Sequence, residues 1–116
     1  MTKKNPVSPE VSGRVADLAE LVAYSPGSVV SKTLIDTGAG TITLFSFDAG
    51  QGLSEHKAPY DALVEVLDGQ AKIQIGQDIL TVSAGQAVVM PANVPHAVAA
   101  EVPFKMLLVM IRSKSQ

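Results

Sequence analysis

Two side chains in this sequence, His56 and His96, have the chemistry of a metal ligand or a proton carrier near neutral pH. There is no other histidine and no cysteine among the 116 residues. The missing cysteines exclude disulfide frameworks, zinc fingers, iron–sulfur clusters and thiol catalysis together. His56 follows Gly50-Gln51-Gly52, and His96 follows Pro91-Ala92-Asn93-Val94-Pro95. Each therefore stands where a glycine- or proline-marked loop meets a β-rich segment, and strand ends that project into a barrel mouth are a common place for small-molecule sites. Ser54, Glu55 and His56 adjoin in sequence, but neighbours in a strand point to opposite faces, so they form no catalytic triad. The pairs Gly38/Gly40 and Gly50/Gly52 lack the third glycine and the following helix of a dinucleotide loop and read as turns. There is no nucleophile elbow, phosphate loop or paired-histidine zinc helix.

The elements that must position the two histidines are almost all strands. Val29–Ile35, Thr41–Phe47, Ala62–Leu67, Gln70–Ile75, Ile79–Val82, Ala87–Met90, His96–Ala99 and Phe104–Ile111 are short β-rich runs separated by turn residues. Asp68-Gly69 is a strong hairpin signal, and Gln70–Ile75 alternates strictly after it. This spacing predicts an antiparallel sandwich or barrel, with the barrel over about 28–112. One helical pattern precedes it. Val11, Val15, Leu18 and Val22 recur on one helical face, Ser8 can cap and Pro9 suits the first turn, which predicts a short N-terminal helix over about 9–23. Gly13 weakens its start, and Ser25-Pro26-Gly27 ends it. Residues 1–8, polar and proline-containing, read as a flexible tail on a single domain over 9–116.

Nine basic against 11 acidic residues give a net charge of −2, without the basic stripe of a nucleic-acid binder. Lys3 and Lys4 lead into Asn5, Pro6 and Ser8 rather than an apolar stretch, and Met106–Ile111 is too short to span a bilayer. A cytoplasmic protein with no membrane and no nucleic-acid partner is the expectation.

From Gly50 to Ala100 the chain resembles the two paired motifs of the cupin superfamily. Gly50, His56 and Gly69 fall in register on the first glycine, first histidine and last glycine of the first motif, and Gly85, Pro91 and His96 fall in register on the second. The departures are as informative. Ala58 stands at the family's second histidine, Ala62 at its glutamate, Asn93 at a glycine and Ala100 at the final asparagine. The resemblance implies an all-β, antiparallel double-stranded β-helix, the jelly-roll barrel, and a homodimer whose pairing would cover an open sheet edge. It also implies that His56 and His96 are what remains of a metal set of three histidines and one glutamate.

Two histidines and a carboxylate with open positions can still hold iron, whereas catalytic zinc normally has three protein ligands. Alternation turns Glu65 and Glu55 away from the ligand face, which leaves Asp61, beside Pro59 and Tyr60, as the third candidate. Replacing a histidine and a glutamate by Ala58 and Ala62 also makes a larger, less polar pocket, and Phe45, Phe47, Met90, Met106 and Met110 are candidate wall residues for it. Three functions follow. The first is a small-molecule-binding barrel with an incomplete metal site, no cofactor and no assignable reaction. The second is a metal-dependent enzyme of dioxygenase, isomerase or decarboxylase type, with a single divalent transition metal on His56, His96 and Asp61. The third is metal-free acid–base catalysis by one histidine. The first is the plainest reading of Ala58 and Ala62.

Overall fold

A computed structural model describes residues 5–112. It contains nine strands: β1 (Val29–Thr37), β2 (Gly40–Phe47), β3 (Gly52–His56), β4 (Tyr60–Asp68), β5 (Gln70–Ile75), β6 (Asp78–Ser83), β7 (Ala87–Met90), β8 (His96–Ala99) and β9 (Phe104–Arg112). They form a five-stranded sheet, β1-β2-β9-β4-β7, facing a four-stranded sheet, β3-β8-β5-β6. Every pairing is antiparallel. The all-β antiparallel architecture expected from the alternation and the turns, and the jelly-roll barrel that the cupin resemblance implies, are what is observed. Among the described residues no helix is long and apolar enough to cross a membrane.

The period of two decides what lies between the sheets. Ala62, Val64 and Val66 of β4 are buried, as are Ala71 and Ile73 of β5 and Phe104 and Met106 of β9. Phe47 stacks on Phe104 with ring centroids 4.6 Å apart. Both rings are fully buried, and burial of each contributes on the order of 1.5–3 kcal/mol. The hairpin from β4 to β5 turns at Gly69, where φ is 76° and a Cβ would meet the Pro103 carbonyl oxygen at 2.3 Å. Only glycine fits both the left-handed backbone and that approach.

The segment before β1 differs from the predicted helix. Of residues 9–23, only Leu18–Glu20 form a helical turn, of 3-10 type. Gly13 lies at φ 68° and Asp17 is extended, so neither continues a helix, and Val15 is fully exposed. What the apolar spacing encodes is a strap across the outer face of the five-stranded sheet. Val22 is buried with Leu34 and Leu44, and Val11, Leu18 and Leu21 pack on the same cluster with Leu67 and Leu107. Polar contacts fix the strap in place. Ser46 Oγ donates to the Ala23 carbonyl at 2.7 Å, Lys105 Nζ to the Ala19 carbonyl at 2.6 Å, and the Tyr24 hydroxyl to Asp68. Burial, then the Asp68 hydrogen bond and charge, push the Tyr24 hydroxyl well above the ordinary tyrosine range.

The expected tail is also corrected where it is described. Val7 bridges to Ile35, Ser8 N–H donates to the Leu34 carbonyl at 2.8 Å, and Asp36 N–H donates to the Pro6 carbonyl at 2.9 Å. Residues 6–8 thus pair with the free edge of β1, which would otherwise present unpaired backbone groups. Residues 1–4 of that expected tail lie outside the described residues.

Candidate functional site

His56 ends β3 and His96 begins β8, and the two are directly opposite in the antiparallel ladder. β3 can lie this close because Gly52 carries no Cβ, which would meet the Val98 carbonyl oxygen at 2.4 Å. Hydrogen bonds from Gly50 N–H to the Ala100 carbonyl at 2.7 Å and from Ala100 N–H to the Gln51 carbonyl at 2.9 Å fasten the start of the strand. β8 is delivered by the turn Pro91–Pro95. Asn93 there lies at φ 65°, and its N–H donates to the Ala58 carbonyl at 2.8 Å. The residue at the motif's glycine position is thus left-handed, and asparagine is one of the few non-glycine residues that tolerates this.

The two imidazoles meet edge to face, with ring centroids 4.4 Å apart. Their Nε2 atoms are 3.2 Å apart. His56 Nδ1 lies 2.8 Å from the Ser54 carbonyl oxygen and His96 Nδ1 lies 3.1 Å from that of Val94. A carbonyl only accepts, so these contacts assign the hydrogen of each neutral ring to Nδ1 and leave both Nε2 atoms as acceptors. His96 is 6% exposed, while His56 is open to solvent. The pair therefore spans the site from its interior to its mouth.

Behind the imidazoles lies a cavity of about 50 Å³ between the sheets. Ala58, Ala62, Met90, Met106 and Met110, all anticipated, line it with the two histidines. Phe45 and Phe47 do not. They stack on one another at 5.8 Å and continue to Phe104, deeper in the core. Asp61 does not reach the site either. It is exposed, and its Oδ1 accepts the Ala92 N–H at 2.9 Å, so it braces the turn that carries His96. Its neighbour Ala62 takes the inward position, and one residue along a strand reverses the face. Glu55 accepts from Gln74 Nε2 at 2.7 Å.

Leu53, Tyr60, Val98 and Leu108 complete the lining without having been anticipated. Three of them carried a signal. Leu108 lies between Met106 and Met110 at a step of two, Val98 lies two beyond His96, and Tyr60 lies two before Ala62. Leu53 is out of step with His56 because the β3–β8 register shifts between them. Among the described residues no group of three or more His, Cys, Asp or Glu side chains converges.

The family profile of the cupin domain matches residues 43–111, a span that includes every residue of the site. A conserved Streptococcus pyogenes protein of unknown function is 37% identical, with a TM-score of 0.86 over 99% of this chain and 98% of that one. A cupin 2 conserved barrel domain protein from Leptotrichia buccalis is 46% identical, with a TM-score of 0.79 over 81% of this chain and 46% of that one. A cupin superfamily protein from Desulfitobacterium hafniense is 28% identical, with a TM-score of 0.84 over 97% and 100%. No protein with a curated description matches. Barrel, paired histidines and sequence match agree, and the chain belongs to the cupin superfamily.

Proposed function

We propose that this cupin binds a small, partly apolar molecule between its sheets, with His56 and His96 as the polar anchor, and that it does so without the divalent metal centre of its family. The observation that carries this reading is the lining itself. Apart from the two imidazoles and Tyr60, every residue around the cavity is alanine, leucine, valine or methionine. An apolar wall with a few convergent polar groups is the general form of a small-molecule site. At about 50 Å³ the closed cavity has room for a group of about four water-sized units, and the exposed His56 leaves the mouth open to a longer molecule.

The family's metal does not fit this donor set. Zinc and non-haem iron sites normally use at least three protein ligands. Here two nitrogens converge, alanines occupy the other two motif positions, and Asp61 is engaged with Ala92 N–H. The metal-enzyme reading thus lacks its third ligand. Nothing in the geometry favours one histidine as a general base over the other.

A melting screen of small carboxylic acids, enols, phenols and alcohols tests the proposal. A ligand at about 100 times its Kd stabilises by about 2.7 kcal/mol, which for a chain of this size raises Tm by about 10 °C. Ala62→Leu, which fills the cavity, is expected to abolish the shift. No stabilising compound, or equal shifts in both proteins, contradicts the reading. The proposal retains the homodimer: Leu63 and Val89, cross-strand neighbours on the outer sheet face, are 38% and 52% exposed and would be covered by pairing. Sedimentation of a clean monomer at micromolar concentration would reject that part.

A further inference from the structure

We infer that the same cavity is a site for a soft monovalent metal ion, with monovalent copper as the matching ion, held by His56 Nε2 and His96 Nε2 together with the thioether sulfurs of Met90 and Met110. The inference rests on the cavity being a ligand site and departs from the preceding reading in what occupies it.

The first observation is the histidine pair. Both Nδ1 atoms are within hydrogen-bond distance of backbone carbonyls, which leaves the two Nε2 atoms of the neutral rings, 3.2 Å apart, as donors for one ion. Two nitrogens bound to one metal at about 2.0 Å are separated by roughly 3.3 Å at the tetrahedral angle. The observed spacing matches that bite. The backbone carbonyls on the far nitrogens hold the ring orientation, as they do for histidines that ligate metals.

The second observation is independent of the first. Ala62, at the position of the family's carboxylate ligand, is directly opposite Met90 on one side and Met110 on the other. Directly paired residues on one face have Cβ atoms about 5 Å apart. Two methionine residues therefore flank the space that a glutamate would have filled, and both line the cavity with the imidazoles. The set is two imidazole nitrogens and two thioethers, with no anionic donor. A neutral thioether is a soft donor that suits soft monovalent copper, whereas manganese prefers oxygen ligands. Charge points the same way. A divalent ion would bring two uncompensated charges into an apolar cavity, and a monovalent ion brings one. The nearby carboxylates do not compensate, since Asp61 binds Ala92 N–H and Glu55 binds Gln74.

Anaerobic titration of the untagged protein with monovalent copper against the chelator bicinchoninate tests this. About one copper retained per chain is expected, absent from a His56→Ala/His96→Ala variant. A Met90→Leu/Met110→Leu variant, which preserves volume and apolar character, is expected to lose at least tenfold in affinity. X-ray absorption of the wild-type copper complex is expected to contain a sulfur shell, and this readout stands even if the leucine variant folds poorly. Copper retained no better than by the histidine variant, affinity unchanged by the leucines, or a nitrogen- and oxygen-only shell overturns the inference. If copper fails while organic ligands still raise Tm in an Ala62-dependent way, only the copper site is lost. If both fail, the cavity is not a ligand site.

Discussion

Asn93 carries the most exacting test of how this chain positions its site. At φ 65° it is the one non-glycine residue with positive φ among the described residues. The turn it shapes leads directly into His96, whose Nδ1 donates to the Val94 carbonyl. An ordinary L-residue in left-handed backbone costs roughly 1–2 kcal/mol, and asparagine tolerates it better. Asn93→Ala should therefore lower stability by about 1 kcal/mol. Asn93→Gly removes the strain and adds disorder to the unfolded chain, two effects of similar size, and should lie within about 0.5 kcal/mol of the parent. Both variants keep the backbone N–H that donates to Ala58. With a urea m-value of about 1.5 kcal/mol/M, the alanine variant should unfold at a midpoint lower by about 0.7 M, and the glycine variant close to the parent. Chemical unfolding followed by circular dichroism reads both. If alanine matches or exceeds glycine, the backbone there is not left-handed, and this account of how His96 is delivered fails.

Two further outcomes follow from single contacts. Nitrogen-15 correlation spectra of the two imidazoles at alkaline pH should place the hydrogen of both neutral rings on Nδ1, although Nε2–H is the commoner form of free histidine; an Nε2–H ring would contradict the hydrogen bond of its Nδ1 to a backbone carbonyl. Tyr24 should ionise later than the ordinary tyrosine value of about 10. Since folding raises its pKa, the stability it confers is full below that value and is lost as the pH rises through the folded one. Phenolate absorbance should contain a late transition, and Tyr24→Phe should abolish it; if the absorbance lost in that variant belongs to the ordinary range, the tether to Asp68 is not formed.

The sheets were legible because alternation is local. Ala62, Val64 and Val66 face inward and Glu65 outward as their parity requires, and Asp68-Gly69 turns where its composition says it should. The histidine pair was legible through motif spacing. What local pattern could not supply was which surface an element meets. Val11, Leu18 and Val22 have helical spacing, yet the apolar outer face of β2 and β9 draws them into an irregular strap, and Gly13 permits it. Phe45 and Phe47 have the inward parity of wall residues, but their place along β2 puts them with Phe104 rather than at the mouth. Asp61 sits beside a ligand position, and its carboxylate is taken by a backbone N–H from a loop 31 residues away in sequence, which no local pattern reveals. Gly52–His56 has no apolar alternation of its own, because Ser54 and Glu55 interrupt it, and it is held as a strand by β8.

Carbon-13 methyl spectra of Met90, Met106 and Met110, recorded while a stabilising small molecule is titrated in, test the central claim most directly. These three thioether methyls belong to residues that line the cavity behind the histidines. The account predicts that all three resonances move with one saturating curve in the parent protein and stay fixed in Ala62→Leu. Binding that leaves them unmoved, or moves them equally in the filled variant, would place the ligand elsewhere and contradict it.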